Sequence, residues 1–236
     1  MATKPETDHR TRAAAARRAK MRERLIESAV LVFAEKGVDA SVIDDVIATA
    51  GVSRGTFYNY FRSNQELLSA AGDQLGDELV EIIEHKVSTL PDPAERLATG
   101  IRLFIETARR YPLLGRFTAR AGLESGGPGN LIYDYLPVHI RQGIAQGRFI
   151  NMPMTVALDL IRGTAVITVY RLSIGNGDET DADESVAAIL RGLGLSPADA
   201  QELVKRDLPE LVVSNTGLLE RSKKRAEEAG IELVKS

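Results

Sequence analysis

The 236-residue sequence contains no cysteine. That excludes disulfides, thiolate nucleophiles and cysteine-ligated metals, and it fits a reducing compartment. There are three histidines, His9, His85 and His139, scattered without metal-ligand spacing. No metal site and no cofactor is expected. A long uncharged apolar run is also missing. The most apolar stretch, residues 156–174, carries Asp159, Arg162 and Arg171, which argues against a membrane span. The opening MATKPETDHRTRAAAARRAK holds no apolar signal-peptide core. These absences lead us to expect a cytoplasmic protein with no membrane partner. The sequence shows no internal repeat, no glycine-rich loop after a strand and no nucleophile–base–orienter set. Carboxylates are plentiful, but none is paired in an apolar context. An enzyme is not expected.

What is present is ordinary for a water-soluble fold. Hydrophobic residues make up 44% and charged residues 27%. The length suffices for one large domain, or a small one joined to a larger one, with a real core. The net charge of −3 hides an asymmetry. Residues 1–64 hold 11 Lys and Arg against 8 Asp and Glu, and residues 1–24 hold 8 against 3. The rest of the chain is acidic. A basic N-terminus is either a solvated tail or a footprint for phosphates.

Helical periodicity dominates the chain. Residues 1 to about 18 read as a disordered or loosely helical arm whose Arg10, Arg12, Arg17, Arg18 and Lys20 suit phosphates or a minor groove. A first firm helix spans about 20–35, with Leu25, Ile26, Ala29, Val30 and Phe33 on one face. Ser41, with Asp44 three residues on, offers a cap for a helix at 42–50. Gly51 ends that helix, because a tight turn needs a residue that tolerates positive φ. Ser53 caps a further helix expected to reach Phe61. Phe57 and Phe61 are expected in the core, with Val46, Ile47 and Ala50 facing inward.

Ser63 and Glu66 suggest a capping box opening a long helix to Val87. Asp92 and Pro93 open another, to Arg110. Helices follow after Tyr111-Pro112, across 131–147 with a disturbance at Pro137, and across 153–174. In the last of these, AVITVY leaves a buried strand as an alternative. GNGDETDAD reads as a loop, followed by helices at 183–193 and from Ser196-Pro197 to about 206. Residues 124–130 (ESGGPGN) read as a flexible turn. Residues 216–229 read as a charged surface helix. The class is all-α.

The stretch SVIDDVIATAGVSRGTFYNYF, residues 41–61, is thus two short helices around a tight turn. Such a helix–turn–helix lays its second helix in a major groove. Residues 24–68, and above all AGVSRGTFYNYF, resemble the TetR family of bacterial transcriptional regulators. The resemblance implies an all-α homodimer. A three-helix N-terminal helix–turn–helix module would bind double-stranded DNA. A larger helical domain would bind a small-molecule effector and dimerise. The division expected is 1–19 basic flexible arm, 20–66 DNA-binding domain and 67–236 ligand-binding and dimerisation domain. Two residues depart from the family. Ile47 stands where Ala is usual, which implies repacking. Asn64 stands where a phosphate-touching Lys is usual, which implies one fewer ionic contact.

Candidate DNA-contacting residues are Ser41, Val42, Ser53, Arg54, Gly55, Thr56, Tyr58, Asn59, Tyr60 and Asn64. Arg54 is the best base reader, because a guanidinium fits the O6/N7 edge of guanine, worth about 1–3 kcal/mol of discrimination. Asn59 either pairs with adenine or faces solvent. The tyrosine hydroxyls suit phosphates. Candidate effector-binding residues are Phe104, Phe117, Arg120, Tyr135, His139 and Tyr170. His139 either orients a ligand or is a satisfied core histidine. The helices at 153–174 and 183–193 are the candidate dimer interface, unless the first is simply a core helix. The expected function is a repressor on a near-palindromic operator, released by a partly apolar effector. The alternative is a helical protein-interaction module without sequence-specific DNA binding.

Overall fold

The structure is a computed structural model that describes residues 5–38, 42–122 and 130–228, with side chains from Thr11 onward. The proposed caps at Ser41 and most of the ESGGPGN turn lie outside the described residues. Eleven helices and no strand occur among the described residues. They are α1 (Pro5–Lys36), α2 (Val42–Ala50), α3 (Arg54–Tyr58), α4 (Asn64–Val87), α5 (Pro93–Arg110), α6 (Pro112–Ala121), α7 (Ile132–Ala145), α8 (Met154–Ser173), α9 (Glu179–Gly192), α10 (Pro197–Val204) and α11 (Leu218–Glu228).

The fold is all-α, as the periodicity predicts. α1 begins at Pro5, so residues 5–19 continue the first helix, the helical one of the two alternatives for this arm. The run of Ala13–Ala16 flanked by Arg and Lys explains this, since these are strong helix formers even without a buried face. α9 begins at Glu179, inside the stretch expected as a loop. Asp178 and Asp181 form a reciprocal capping box there, each side chain accepting the other's backbone N–H at 3.1 Å. The AVITVY segment is helical. The Thr168 hydroxyl donates to the Thr164 carbonyl at 2.8 Å, so its polar group is satisfied within the helix.

The remaining caps match their sequence signals. The Ser53, Ser63, Asp92 and Ser196 side chains each accept a first-turn N–H. At Ser63 the box is not reciprocal, because Glu66 accepts from the Arg62 N–H at 2.7 Å instead. α3 is a single turn. Tyr60 and Phe61 N–H groups both donate to the Phe57 carbonyl, which closes the helix before Phe61.

α5 lies at the centre, packed against α4, α6, α7, α8, α9 and α10. α1 packs on α2, α4 and α6. Up to α10, two buried links join the N-terminal helices to the rest. One is α4, whose Leu67, Leu68 and Ala71 are buried near its start. The other is α6, whose Phe117 ring meets the Phe33 ring of α1 at 6.4 Å. α11 folds back onto α1 and α4 and buries Leu218, Leu219, Ser222 and Ala226. It is therefore an integrated helix and not a surface one.

Candidate nucleic-acid interface and interior cavity

The turn between α2 and α3 is built by Gly51 at φ +61°. Gly51 N–H donates to Ala48 O at 3.0 Å and Val52 N–H to Ile47 O at 3.1 Å, the paired bonds of a Schellman motif. Phe57 and Phe61 are buried, with rings 6.2 Å apart. Ser53, Arg54, Gly55, Tyr58 and Asn59 are exposed together on the outer side of the turn and α3. Thr56 and Tyr60 are half-buried. The Thr56 hydroxyl pairs with the Ser53 hydroxyl at 2.9 Å. The Arg18 guanidinium lies 5.6 Å from the Tyr60 ring centroid, and that of Arg22 lies 5.3 Å from the Phe61 ring. The basic early part of α1 therefore stacks directly beside the candidate reading surface.

Arg54 forms an ion pair with Asp44 of α2. That hydrogen bond is the main cause holding the guanidinium even more firmly charged than usual. Two expectations need correction here. The Val42 side chain is buried, so it supports the motif and does not face outward. Ile47 is half-buried at the margin, so the larger residue intrudes on no tight core. Asn64 donates its side-chain amide to the Val38 carbonyl at 2.9 Å, tying the start of α4 to the end of the α1 turn. Ser41 lies outside the described residues.

A cavity of about 210 Å³ sits between α4, α5, α6, α7 and α8. Its walls are mainly apolar, including Leu75, Leu79, Ile101, Leu114 and Ile161. Four of the six predicted ligand residues line it: Phe104, Phe117, Tyr135 and His139. Arg120 does not. It is exposed and donates to the Glu35 carbonyl at the C-terminus of α1, where a cation meets the helix dipole. Tyr170 does not either; it is 44% exposed on the outer face of α8. Glu84 was not foreseen. It accepts from His139 Nε2 at 2.8 Å, and both side chains are largely buried. It lies four positions after Val80, another cavity residue, and so shares its helix face.

α4 is common to both places. It follows α3 in the chain and its start packs on α1, the helix that also carries α2, while its later turns, from Gly72 to Val87, form one cavity wall. Midway, Glu78 accepts the Leu218 N–H of α11 at 2.5 Å. Burial raises the Glu78 pKa above the usual carboxylate value, against the opposing pull of the Leu218 and Leu219 N–H groups and Arg221.

Two sequence profiles match this chain. Residues 25–71 match one described as bacterial regulatory proteins, tetR family, and residues 92–206 match one described as tetracyclin repressor-like, C-terminal domain. The chain belongs to the TetR family. Its members are regulators, not enzymes. The HTH-type transcriptional repressor DhaR of Mycobacterium sp. (strain GP1) is 35% identical over 95 residues, covering 38% of this chain and 46% of DhaR. The regulator EthR of Mycolicibacterium smegmatis (strain ATCC 700084 / mc(2)155) is 33% identical over 105 residues, covering 42% of this chain and 46% of EthR. The matched stretch thus spans less than half of each relative. RolR, solved in complex with resorcinol, superposes with a TM-score of 0.66 at 27% identity, over 84% of this chain and 100% of RolR. α11 lies beyond both matched TetR profiles.

Proposed function

We propose that this chain is a transcriptional repressor that binds a near-palindromic operator as a homodimer and leaves it when a small, partly apolar effector fills the interior cavity. One observation carries the reading. α4 follows α3 directly in the chain, packs on the same α1 that carries α2, and forms a wall of the cavity. A ligand that prefers one position of α4 therefore prefers one placement of the reading heads. Two heads must meet successive major grooves, about 34–36 Å apart, so a small tilt of α4 is enough to break the match.

On the DNA side, Arg54 reads a base edge once it leaves Asp44, and Ser53, Gly55, Thr56, Tyr58 and Asn59 contact the backbone or adjacent bases. Tyr60 flanks them, and α1 supplies charge through Arg12, Arg17, Arg18 and Lys20. Asn64 acts by fixing α4. The operation on DNA places the protein in the cytoplasm; no described helix is long and apolar enough to cross a membrane.

The dimer forms through α8 and α9. Val156, Ile167, Tyr170 and Ile174 are each at least 44% exposed and share one face of α8. The cavity is small by the standard of ligand pockets, which run to about 300–1,000 Å³. A single-ring effector, of the size of the resorcinol bound by RolR, fits such a space.

Selection of bound genomic fragments by the purified protein tests the proposal. A shared palindromic sequence, bound well above non-specific affinity, is expected. Uniform, salt-sensitive binding to all fragments would leave no operator and sink the repressor reading.

A further inference from the structure

His139 is 8% exposed and lines the cavity. Its Nε2 is engaged by the Glu84 carboxylate at 2.8 Å. A carboxylate offers only acceptors, so Nε2 carries the hydrogen. Its Nδ1 is buried and has no hydrogen-bond partner among the described residues. A buried polar atom without a partner costs about 1–3 kcal/mol. His139 is thus a polar atom presented to a mainly apolar chamber and held in place by its other nitrogen.

The chemistry of that atom restricts the ligand. In the neutral ring Nδ1 is an acceptor; in the imidazolium it is a donor. A hydroxyl satisfies both states, because it both donates and accepts. A carboxylate or phosphate is disfavoured, since the Glu84 carboxylate stands directly behind the ring. The nearby cations are already engaged. Arg96 donates to the Leu90 and Pro91 carbonyls and to Gln142, and Arg162 bonds the Tyr133 hydroxyl and stacks on that ring at 4.8 Å. The volume suits a small ligand body better than a long acyl chain held wholly inside.

We infer that His139 Nδ1 is the specificity-determining group of the cavity and that it selects a small, neutral, hydroxyl-bearing molecule with an otherwise apolar body. This rests on the reading of the cavity as the effector site. It goes further by naming the atom that reads the ligand and the chemical class it accepts. Because His139 is bonded to Glu84 of α4, a ligand hydroxyl on Nδ1 acts directly on the helix that carries the reading head.

The test uses the full chain without DNA and three probes of similar size: phenol, toluene and benzoate. Binding is read by the chemical shift of the His139 ring nitrogens and by calorimetry. Phenol is expected to bind at least about tenfold more tightly than toluene or benzoate, the scale of one buried hydrogen bond. It should also shift the Nδ1 resonance. H139L is expected to lose that preference and to favour toluene. H139Q, which keeps a polar group, is expected to retain part of it. Equal binding of phenol and toluene overturns the inference, as does a phenol preference that survives in H139L, or no binding of any probe. Release of bound DNA by phenol is a separate readout. Selective, His139-dependent binding without DNA release would refute the effector reading and leave the ligand class standing.

Discussion

Arg54 and Asp44 are both largely solvent-exposed, with side chains 59% and 71% accessible, so their ion pair adds little to stability. Its effect is on readiness. The pair holds the guanidinium against α2, and in the proposed reading a guanine edge competes for it. Arg54→Ala is expected to relax preference at one base pair per half-site, by about 1–3 kcal/mol, and to leave non-specific binding nearly intact. A competition mobility shift over all four bases at each position measures this. Equal weakening on every sequence would reduce Arg54 to a phosphate contact. Glu78 poses the opposite case. Burial raises its pKa in the folded chain. A raised carboxyl contributes stability that is full below the unfolded pKa, about 4.3, and is lost as pH rises through the folded value. At neutral pH the buried charge is therefore a cost. Glu78→Gln keeps an acceptor for the Leu218 N–H and removes the titration. The variant should gain on the native protein as pH rises from about 4.5, then hold a constant lead. Denaturant unfolding across pH 4–8 reads this, and a variant that falls behind at pH 7 would show that the ionised hydrogen bonds outweigh desolvation.

α11 is the element that sequence patterns describe least well. Its burial depends on partners far away in the chain. Arg221 Nε donates to Glu27 of α1 at 2.6 Å, Arg225 lies 3.7 Å from the same carboxylate, and Arg225 also donates to the Thr49 carbonyl of α2 at 2.7 Å. The Tyr111 hydroxyl donates to Glu220 at 2.8 Å. α11 thereby holds α1, α2 and α4 in one arrangement. Replacing both Arg221 and Arg225 with Ala leaves Glu27 largely buried and unpaired by either, and should cost about 1–3 kcal/mol. Thermal unfolding checks it; an unchanged midpoint would make these bonds incidental. The charged sequence of α11 shows a helix but not the face it buries, because an Arg that covers apolar surface looks like a solvated one. The capped helices were legible from local chemistry alone, as at Ser53, Ser63 and Asp92. The start of α9 was written in the same way, as an Asp178–Asp181 pair, and lay hidden in a loop-like composition. Site residues divide by the same logic. Phe104, Phe117, Tyr135 and His139 were legible as large or polar groups on buried faces. Arg120 and Tyr170 were not, since their placement depends on which side of α6 and α8 meets a neighbour.

At the scale of the whole molecule, α8 has two apolar faces, one in the core and one that suits the dimer seam proposed above. Ala157, Ile161, Ala165, Thr168 and Val169 are buried within the subunit. On the other side, Val156, Leu160, Gly163, Ile167, Tyr170 and Ile174 recur at alternating spacings of about four and three, the pattern of a helix seam. A Cβ on Gly163 would meet nothing within 4 Å, so that face is open for close approach. Gly192 of α9 meets Leu160 of α8 closely enough that a Cβ would lie 2.7 Å from its Cδ2, which sets α9 beside the seam. Ile167, 51% exposed, lies midway along this stripe. Ile167→Glu places a carboxylate in each half of a two-fold interface. Both are desolvated, and the symmetry brings like charges near one another, at a cost of several kcal/mol per buried ion. The subunit itself should keep its fold, because the residue is not part of its core. Sedimentation at micromolar concentration is expected to show a monomer with unchanged helical content. Such a monomer would lose the paired half-site contact and bind operator no better than other DNA. A variant that remains dimeric would move the interface away from α8, and with it the route by which the cavity, whose wall includes Ile161 and Ala165 of the same helix, reaches the second reading head.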